Sequence, residues 1–244
     1  MPKYILFDTE TTGNKEEDKI IQLGIMIVHS KDKIEVYDEM CLADVPIQIE
    51  AMEVHNITPD VIENQPPFDE LQGAKKIFEL NTEENYLIAH NISFDLDMLK
   101  KEGFTNSYTL LDTLRCAKHL LPNLPSHRLQ YLRYSLELYK TEGAEASKLG
   151  ITIKAHDAIG DVLVMKLLLS KLVKLTQEQF PQENPMKKLA QLTQTPVLIK
   201  TFKFGKHKDK EVAQVAKEDS GYLKWMQKNM DLDEDMVFTL GKYL

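Results

Sequence analysis

The stretch ILFDTETTG (residues 5–13) places two carboxylates on a strand that leads into a protein core. Residues two positions apart in a strand point to the same face, so Asp8 and Glu10 are neighbours, with Cα atoms roughly 6.5–7 Å apart. Two ionised carboxylates there repel each other and are costly to bury together. A divalent cation between them would remove that cost. The pattern predicts a metal site, with a solvated strand end carrying incidental acids as the alternative.

Two later segments supply further candidate groups for such a site. Asp95, in HNISFDLDML, falls in the first turn of a predicted helix beside its buried stripe. In AHDAIGDV, His156 precedes another predicted helix and Asp161 lies in its first turn. Taken singly, Asp95 is a favourable charge at a helix N-terminus and His156 is an ordinary polar loop residue. Neither segment decides the question alone.

The composition is that of an ordinary globular protein. With 244 residues, 43% of them hydrophobic, the chain suits one sizeable domain, or a domain of about 170 residues with a smaller appendage. Its start has no signal-peptide pattern, and its most apolar stretch, residues 20–28, is too short to span a bilayer. Cys41 and Cys116 are expected to be reduced thiols. We therefore expect a cytoplasmic protein without membrane contact.

The formal charge of −8 is distributed unevenly along the chain. Residues 1–174 carry 19 Lys and Arg against 28 Asp and Glu, a net charge of −9. Residues 175–244 carry 11 against 10, a net charge of +1. Carboxylates gathered around bound cations would account for part of the acidity, so the net charge does not exclude a nucleic-acid partner.

Apolar runs and turn residues predict an α/β sheet covered by helices. The predicted strands are residues 3–7, 20–28, 33–41, 86–89 and 108–111. The predicted helices are residues 47–57, 68–80, 91–103, 112–121, 129–139 and 158–175. From residue 176 to 196 the composition shifts to Gln, Pro, Asn and Lys, which indicates a linker with one short helix.

The order DxE at a strand end, HNxxFD at a helix start and HxAxxD at a later helix start resembles the DEDDh family of 3′–5′ exonucleases. Further matches are EVHNITP (53–59), LDTLRCAKHLLP (111–122) and SHRLQYLRY (126–134), so the resemblance covers roughly residues 4–175. It implies an RNase H-like α/β fold, with a mixed five-stranded sheet whose first three strands are antiparallel and whose faces are flanked by helices. A tyrosine in place of His156 would mark the sister family.

The resemblance also implies two Mg²⁺ or Mn²⁺ ions and a role for each site residue. By position, Asp8 would touch both ions, Glu10 and Asp161 would hold the first, and Asp95 would act directly or through water. His156 would accept a proton from the attacking water. Hard oxygen ligands suit such ions, and paired ions can stabilise both the attacking and the leaving oxygen of a phosphodiester.

Further residues match positions that hold the 3′-terminal nucleotide in the family. They are Thr11, Thr12, Gly13, Met52, His55, Ile57, Asn91 and Phe94. Helix packing is the alternative role for Met52, His55 and Ile57, and helix capping is a second role for Asn91. Family members commonly carry glycine at Asn56, where asparagine also tolerates the left-handed backbone, so we expect the turn to be kept.

The segment FKFGKHKDKEVAQVAKEDSGYLKWM (202–226) resembles the small C-terminal module of exonuclease X-like proteins, in which FGKxKGK precedes GYLxW. Asp209 stands where that pattern often has glycine. Five lysines against one aspartate in residues 200–210, interleaved with two phenylalanines, suit phosphate contact and base stacking. A solvated hairpin over a core containing Trp225 is the alternative. The predicted parts are an exonuclease domain (1–175), a linker (176–196) and a small α+β module (197–244).

The resemblance implies a metal-dependent 3′–5′ exonuclease that acts on DNA 3′ ends and releases nucleoside 5′-monophosphates. Two alternatives within the enzyme class stay open: a proofreading epsilon subunit that partners a replicative DNA polymerase, and an RNA 3′–5′ exonuclease. A nucleic-acid-binding adaptor without catalysis is the alternative from another class. The acidic residues and the histidine that the motifs require are all present, which argues against an adaptor.

Overall fold

A computed structural model describes residues 1–30, 32–153 and 157–244. Within these residues, five strands form one sheet in the order β3-β2-β1-β4-β5. The strands are β1 (Tyr4–Thr11), β2 (Ile20–Ser30), β3 (Lys33–Met40), β4 (Tyr86–Ala89) and β5 (Thr109–Asp112). β1 to β3 pair antiparallel, whereas β1 with β4 and β4 with β5 are parallel. The mixed RNase H-like sheet with three antiparallel strands is confirmed.

Helices cover both faces of the sheet and form the C-terminal part of the chain. The described helices are α1 (Ile49–His55), α2 (Pro59–Ile62), α3 (Gln72–Glu79), α4 (Ile92–Lys101), α5 (Thr113–Leu120), α6 (Leu129–Ser135), α7 (Tyr139–Leu149), α8 (Ala158–Gln179), α9 (Pro185–Thr193), α10 (Val212–Glu218), α11 (Ser220–Asn229) and α12 (Glu234–Tyr243). Among them, none combines the length and hydrophobicity that a bilayer span requires.

The central strand β1 is buried on both faces, and its alternation directs the polar residues at its end. Phe7 packs into the core under α3 and α4, whereas Leu6 packs into the core under α5 and α8. Because the side-chain period of a strand is two, Asp8 and Glu10 share the α8 side with Leu6, and Thr9 shares the α4 side with Phe7. The end of β1 therefore presents polar groups to α4 on one face and to α8 on the other.

The first turn of α8 lies directly against β2. A Cβ placed on Gly24 would come within 2.5 Å of the carbonyl carbon of Ala158, so only glycine permits this approach. The buried side chain of Gln22 accepts a hydrogen bond from the Ala158 N–H at 3.3 Å and donates to Asp157 at 2.8 Å. These contacts fix the turn of α8 that carries Asp161.

The C-terminal residues have a core of their own beneath α10, α11 and α12. Its buried members are Phe202, Val212, Val215, Leu223, Met226, Met236 and Leu240. Besides the three helices, an isolated antiparallel bridge joins Thr201 to Glu211. Arg115 of α5 connects this module to the sheet domain, because its guanidinium donates to the Thr195 carbonyl at 2.8 Å and to Asp235 at 3.2 Å.

The segment predicted as a linker contains the end of α8 and the whole of α9. Leu189 and Leu192 of α9 pack into the core on the α5 and α8 side of the sheet. The Thr193 hydroxyl accepts a hydrogen bond from the backbone N–H of Asp112 at 2.9 Å, which ties α9 to β5. This segment therefore belongs structurally to the sheet domain, while the predicted boundaries at residues 175 and 197 stay predictions.

Candidate active site

Four carboxylates from three elements interact at the end of β1. The strand continues to Thr11, further than predicted, so Asp8 and Glu10 lie within it, just before a register shift against β2. Asp95 lies in the first turn of α4 and Asp161 in the first turn of α8. The sheet and the two helix N-termini thus direct these acidic side chains towards each other.

The electrostatics of the group show this proximity. Burial, with repulsion from Asp95, Asp161 and Glu10, raises the pKa of Asp8 well above its usual value. Burial and the charge of Asp161 raise the pKa of Glu10 to about 8. Burial likewise raises the pKa of Asp95 to about 7, although the hydrogen bonds that it accepts favour the charged form. Holding these groups ionised at neutral pH is therefore costly without a cation.

Two neutral side chains orient the carboxylates from outside the group. The Thr9 hydroxyl donates to Asp95 Oδ1 at 2.8 Å, and both residues are buried. Gln130 of α6 donates through Nε2 to Asp161 Oδ1 at 2.6 Å, while its Oε1 accepts from Arg133. The sequence reasoning missed Thr9 and Gln130. The alternation of β1 could have directed Thr9 to α4, and Gln130 lies inside the matched stretch SHRLQYLRY.

The donor chemistry of the group fits hard divalent cations. Carboxylate oxygens are the ligands that Mg²⁺ and Mn²⁺ prefer, and bound positive charge would offset the cost of burying these carboxylates close together. In residues 1–30, 32–153 and 157–244, no set of three or more His, Cys, Asp or Glu side chains is arranged as a metal-binding cluster. The fit to a cation therefore rests on the chemistry and mutual repulsion of the carboxylates.

A cleft of about 250 Å³ opens beside Glu10, between β1, α1 and the start of α4. Four of the predicted substrate-binding residues, Thr11, Gly13, His55 and Phe94, line it. His55 is buried; its Nε2 donates to the Thr11 carbonyl at 3.2 Å and its Nδ1 accepts from a backbone N–H. Burial lowers the pKa of His55, so the imidazole is neutral and holds the wall of the cleft in place.

The other predicted substrate-binding residues face the fold or stand apart from this cleft. Thr12 is fully buried, and its hydroxyl donates to Asp18 within the β1–β2 turn. Ile57 belongs to the small core beneath α1, and Met52 packs against that core. Asn91 begins α4 in a left-handed conformation, with its side chain exposed and making no capping hydrogen bond. A role in substrate binding stays a prediction for all eight residues.

The predicted proton acceptor, His156, lies outside the described residues. The description resumes at Asp157, the N-cap residue of α8. Asp157 accepts a hydrogen bond from Gln22, and its charge contributes to the raised pKa of Glu10. The assignment of His156 as the general base therefore stays a prediction from the sequence.

Comparisons with known proteins agree with this fold. The exonuclease family model of the RNase T type matches residues 5–169. The chain belongs to this exonuclease family. A second model, for the exodeoxyribonuclease X-like C-terminal region, matches residues 202–231. The chain is 28% identical to exodeoxyribonuclease 10 of Escherichia coli K12 over 250 residues, which cover 98% of this chain and 97% of that protein.

One further relative and one solved structure are also similar to the chain. The chain is 32% identical to the DNA polymerase III epsilon subunit of Treponema pallidum over 172 residues, covering 64% of this chain and 78% of the subunit. A solved structure of exonuclease X in complex with 5′ overhanging duplex DNA aligns with a TM-score of 0.54 and 19% identity, covering 78% of this chain and 99% of that one. This last similarity supports the exonuclease fold.

Proposed function

We propose that this exonuclease hydrolyses DNA from the 3′ end and releases nucleoside 5′-monophosphates. The observation that carries the proposal is a group of mutually repelling carboxylates at the end of β1, beside a cleft of about 250 Å³. DNA is favoured as substrate because the similarity to exodeoxyribonuclease 10 extends over 98% of the chain. The similarity to the epsilon subunit covers 64% of the chain, which favours an exonuclease X-like enzyme over a polymerase subunit.

The carboxylates would hold two Mg²⁺ or Mn²⁺ ions. Asp8 would serve both ions, Glu10 and Asp161 the first, and Asp95 would act directly or through water. When bound, the ions supply positive charge that stabilises the attacking and leaving oxygens at the scissile phosphodiester. Thr9 and Gln130 keep Asp95 and Asp161 oriented through hydrogen bonds of 2.8 and 2.6 Å.

The remaining steps belong to the protein's own side chains. The cleft beside Glu10 would hold the 3′-terminal nucleotide, with the ring of Phe94 in its wall. His156, placed by the sequence just before α8, would accept the proton of the attacking water, since its unperturbed pKa lies near 6.5. The thiols Cys41 and Cys116 are free and buried, which fits action in the reducing cytoplasm.

The decisive experiment is degradation of DNA and RNA oligonucleotides of the same sequence, each labelled at the 5′ end. With Mg²⁺ or Mn²⁺ the DNA is expected to shorten stepwise from its 3′ end, and EDTA is expected to stop the reaction. Asp95→Asn should abolish hydrolysis, whereas Asp97→Asn, on the exposed side of the same helix, should retain it. Hydrolysis of RNA alone, or hydrolysis that persists in EDTA, would contradict the proposal. Stable co-purification with a polymerase subunit would favour the proofreading alternative.

A further inference from the structure

The C-terminal module exposes two large aromatic side chains although it has a core of its own. Trp225 of α11 is 52% exposed, and Phe204, in the loop before α10, is 42% exposed. The Trp225 ring stacks on Tyr222, with centroids 5.9 Å apart and planes at 22°. Tyr222 in turn contacts His207 edge to face at 4.8 Å. These three rings, here called the aromatic row, run from buried His207 to exposed Trp225.

Close packing and hydrogen bonds hold the aromatic row in place. Gly205 has φ of +75°, and a Cβ there would come within 2.5 Å of the Tyr222 hydroxyl, so the loop can cross Tyr222 only at a glycine. Asp219 accepts hydrogen bonds from His207 Nε2 at 2.9 Å and from Lys206 at 2.8 Å. A surface fixed in advance loses little conformational entropy when a ligand binds.

The stretch of chain that carries the aromatic row is rich in lysine. Residues 200–229 hold eight lysines and four carboxylates, a net charge of +4, whereas residues 230–244 hold one lysine and four carboxylates, a net charge of −3. The module is therefore polarised, with the aromatic row on its positive part. The exposed lysines of that part include Lys208, Lys210, Lys224 and Lys228.

This positive surface adjoins the sheet domain at a segment that leads to the active site. Lys200 donates to the side chain of Asn123 at 2.6 Å, and Asn123 lies in the connection between α5 and α6. Helix α6 carries Gln130, whose amide holds Asp161. The short stretch from Asn123 to Gln130 thus connects Lys200 of the C-terminal module with Asp161 of the carboxylate group.

We propose that the aromatic row and its lysines bind single-stranded DNA. Exposed Trp225 and Phe204 offer flat faces on which bases of any sequence can stack. The exposed lysines supply the positive charge that a phosphate backbone attracts. This proposal rests on the proposed function, because the strand bound here would be the DNA substrate. The module would hold it at a surface separate from the carboxylates. The net charge of the sheet domain is the opposite, −9 over residues 1–174.

The chain offers a direct readout because Trp225 is its only tryptophan. The full-length protein in EDTA, where hydrolysis is blocked, is titrated with oligothymidylates of 4 and 20 nucleotides, and tryptophan emission is followed. Stacking of a base on Trp225 is expected to quench the emission with the longer oligomer. Double-stranded DNA with blunt ends and a mixture of acidic peptides serve as competing ligands, and neither is expected to quench comparably.

Two variants test the surface, with a matched control. Trp225→Ala is expected to weaken binding of the 20-mer about 5- to 150-fold, the range of stacking contributions per base. Because this variant has no tryptophan, its binding and that of the other variants are followed by the fluorescence anisotropy of a labelled 20-mer. Lys208→Gln with Lys210→Gln should flatten the salt dependence of binding. Phe78→Ala, which removes a 43% exposed ring on α3, should leave binding unchanged. Circular dichroism and melting temperatures establish that each variant is folded.

The outcomes separate this proposal from the proposed function. Two results together would overturn the proposed surface: no quenching of the wild-type emission by the 20-mer, and an unchanged affinity of Trp225→Ala for it. If the same protein hydrolyses DNA, the exonuclease assignment stands. Quenching and weakened binding in a chain that hydrolyses no DNA would support the surface and count against the exonuclease assignment. Quenching by the peptides but not by the oligomer would make the row a protein-docking site and overturn the proposal.

Discussion

At the scale of single residues, the carboxylates at the end of β1 connect metal binding with stability and pH. Burial raises the pKa of Asp8, Glu10 and Asp95, and repulsion from neighbouring carboxylates adds to the shift of Asp8 and Glu10. Each ionised group therefore destabilises the folded metal-free chain. Strand periodicity predicted that Asp8 and Glu10 are neighbours, and the resemblance to the exonuclease motifs added Asp95 and Asp161, whose charges act on Asp8 in the structure. The role of the four as metal ligands stays a prediction. The sequence did not predict the strength of the repulsion, which depends on how closely α4 and α8 approach the strand.

Replacing Asp8 with asparagine should abolish hydrolysis and stabilise the metal-free protein. Asparagine has nearly the same shape but carries no charge, so it removes repulsion against three neighbouring carboxylates. We expect the free energy of unfolding in EDTA to rise by about 0.5–2 kcal/mol at pH 8, the usual size of a stabilising substitution. Chemical denaturation and an oligonucleotide assay measure the two effects. Activity near the wild-type level would contradict the two-metal assignment.

The same burial and repulsion predict a dependence of stability on pH. Glu10 has a pKa of about 8 in the folded chain against 4.5 as its ordinary value, so between these values the folded state binds more protons than the unfolded state. Its contribution is therefore greatest below pH 4.5 and is lost as the pH rises through 8. The stability gained by Asp8→Asn in EDTA should be larger at pH 8 than at pH 5, and Mg²⁺ should reduce the difference. An equal gain at both pH values would contradict the predicted linkage.

His156→Ala tests the predicted general base. A positioned base contributes about 10²–10⁴-fold, so kcat should fall by that range while Mn²⁺ binding survives. Isothermal titration with Mn²⁺ measures binding, and single-turnover hydrolysis measures the chemical step. Loss of Mn²⁺ binding would instead identify His156 as a ligand or as a structural residue.

At the scale of secondary-structure elements, local patterns predicted the sheet and most helices, but tertiary contacts set several ends. β1 runs to Thr11 because it continues to pair with β2. The predicted helix 129–139 is interrupted, and Glu137 adopts a left-handed conformation with φ of 58° before α7 begins. The expected left-handed turn is kept at Asn56, which has φ of 59° where family members commonly carry glycine. Asp209 also adopts a left-handed conformation, with φ of 67°, where the related pattern often has glycine.

The contact between β2 and α8 makes Gly24 a structural determinant of the active site. Gly24→Ala would push the added methyl group into the backbone of Ala158, so the first turn of α8 must shift, and Asp161 with it. We expect a loss of stability of about 1–3 kcal/mol, the usual range for overpacking, and a fall in Mn²⁺ affinity. Denaturation curves and Mn²⁺ titration measure both effects.

Gly143→Ala is the matched control for this substitution. Gly143 lies inside α7, and a Cβ there would meet no atom within 4 Å among the described residues. The same chemical change should therefore stabilise the chain by about 0.5–1 kcal/mol, since alanine favours a helix interior. Equal effects of the two substitutions would contradict the proposed role of the β2–α8 contact.

At the scale of the whole molecule, the composition changes after residue 175, whereas the packing of the sheet domain continues through α9. The sheet domain is acidic, whereas residues 200–229 are basic, and the two parts have separate cores. Arg115 joins them through Thr195 and Asp235. Composition revealed the change of character after residue 175, but not that α9 packs onto the sheet domain. That assignment depends on Leu189 and Leu192 filling a core whose other members lie far away in the sequence.

Removing the C-terminal module should weaken binding of DNA without impairing hydrolysis. The truncation must end at Gln194, after α9, because Leu189 completes the core of the sheet domain. Each phosphate contact contributes roughly 0.7 to the slope of log affinity against log salt for single strands, so losing two or three contacts should flatten the slope by roughly 1.5–2. Turnover of a saturating short oligonucleotide should change little, since the predicted metal ligands all precede the truncation. Titrations at several salt concentrations decide the matter, with Mn²⁺ binding as the control for an intact site. Unchanged affinity and slope would make the module a packing element, because a surface that binds phosphates cannot be removed without reducing the salt dependence.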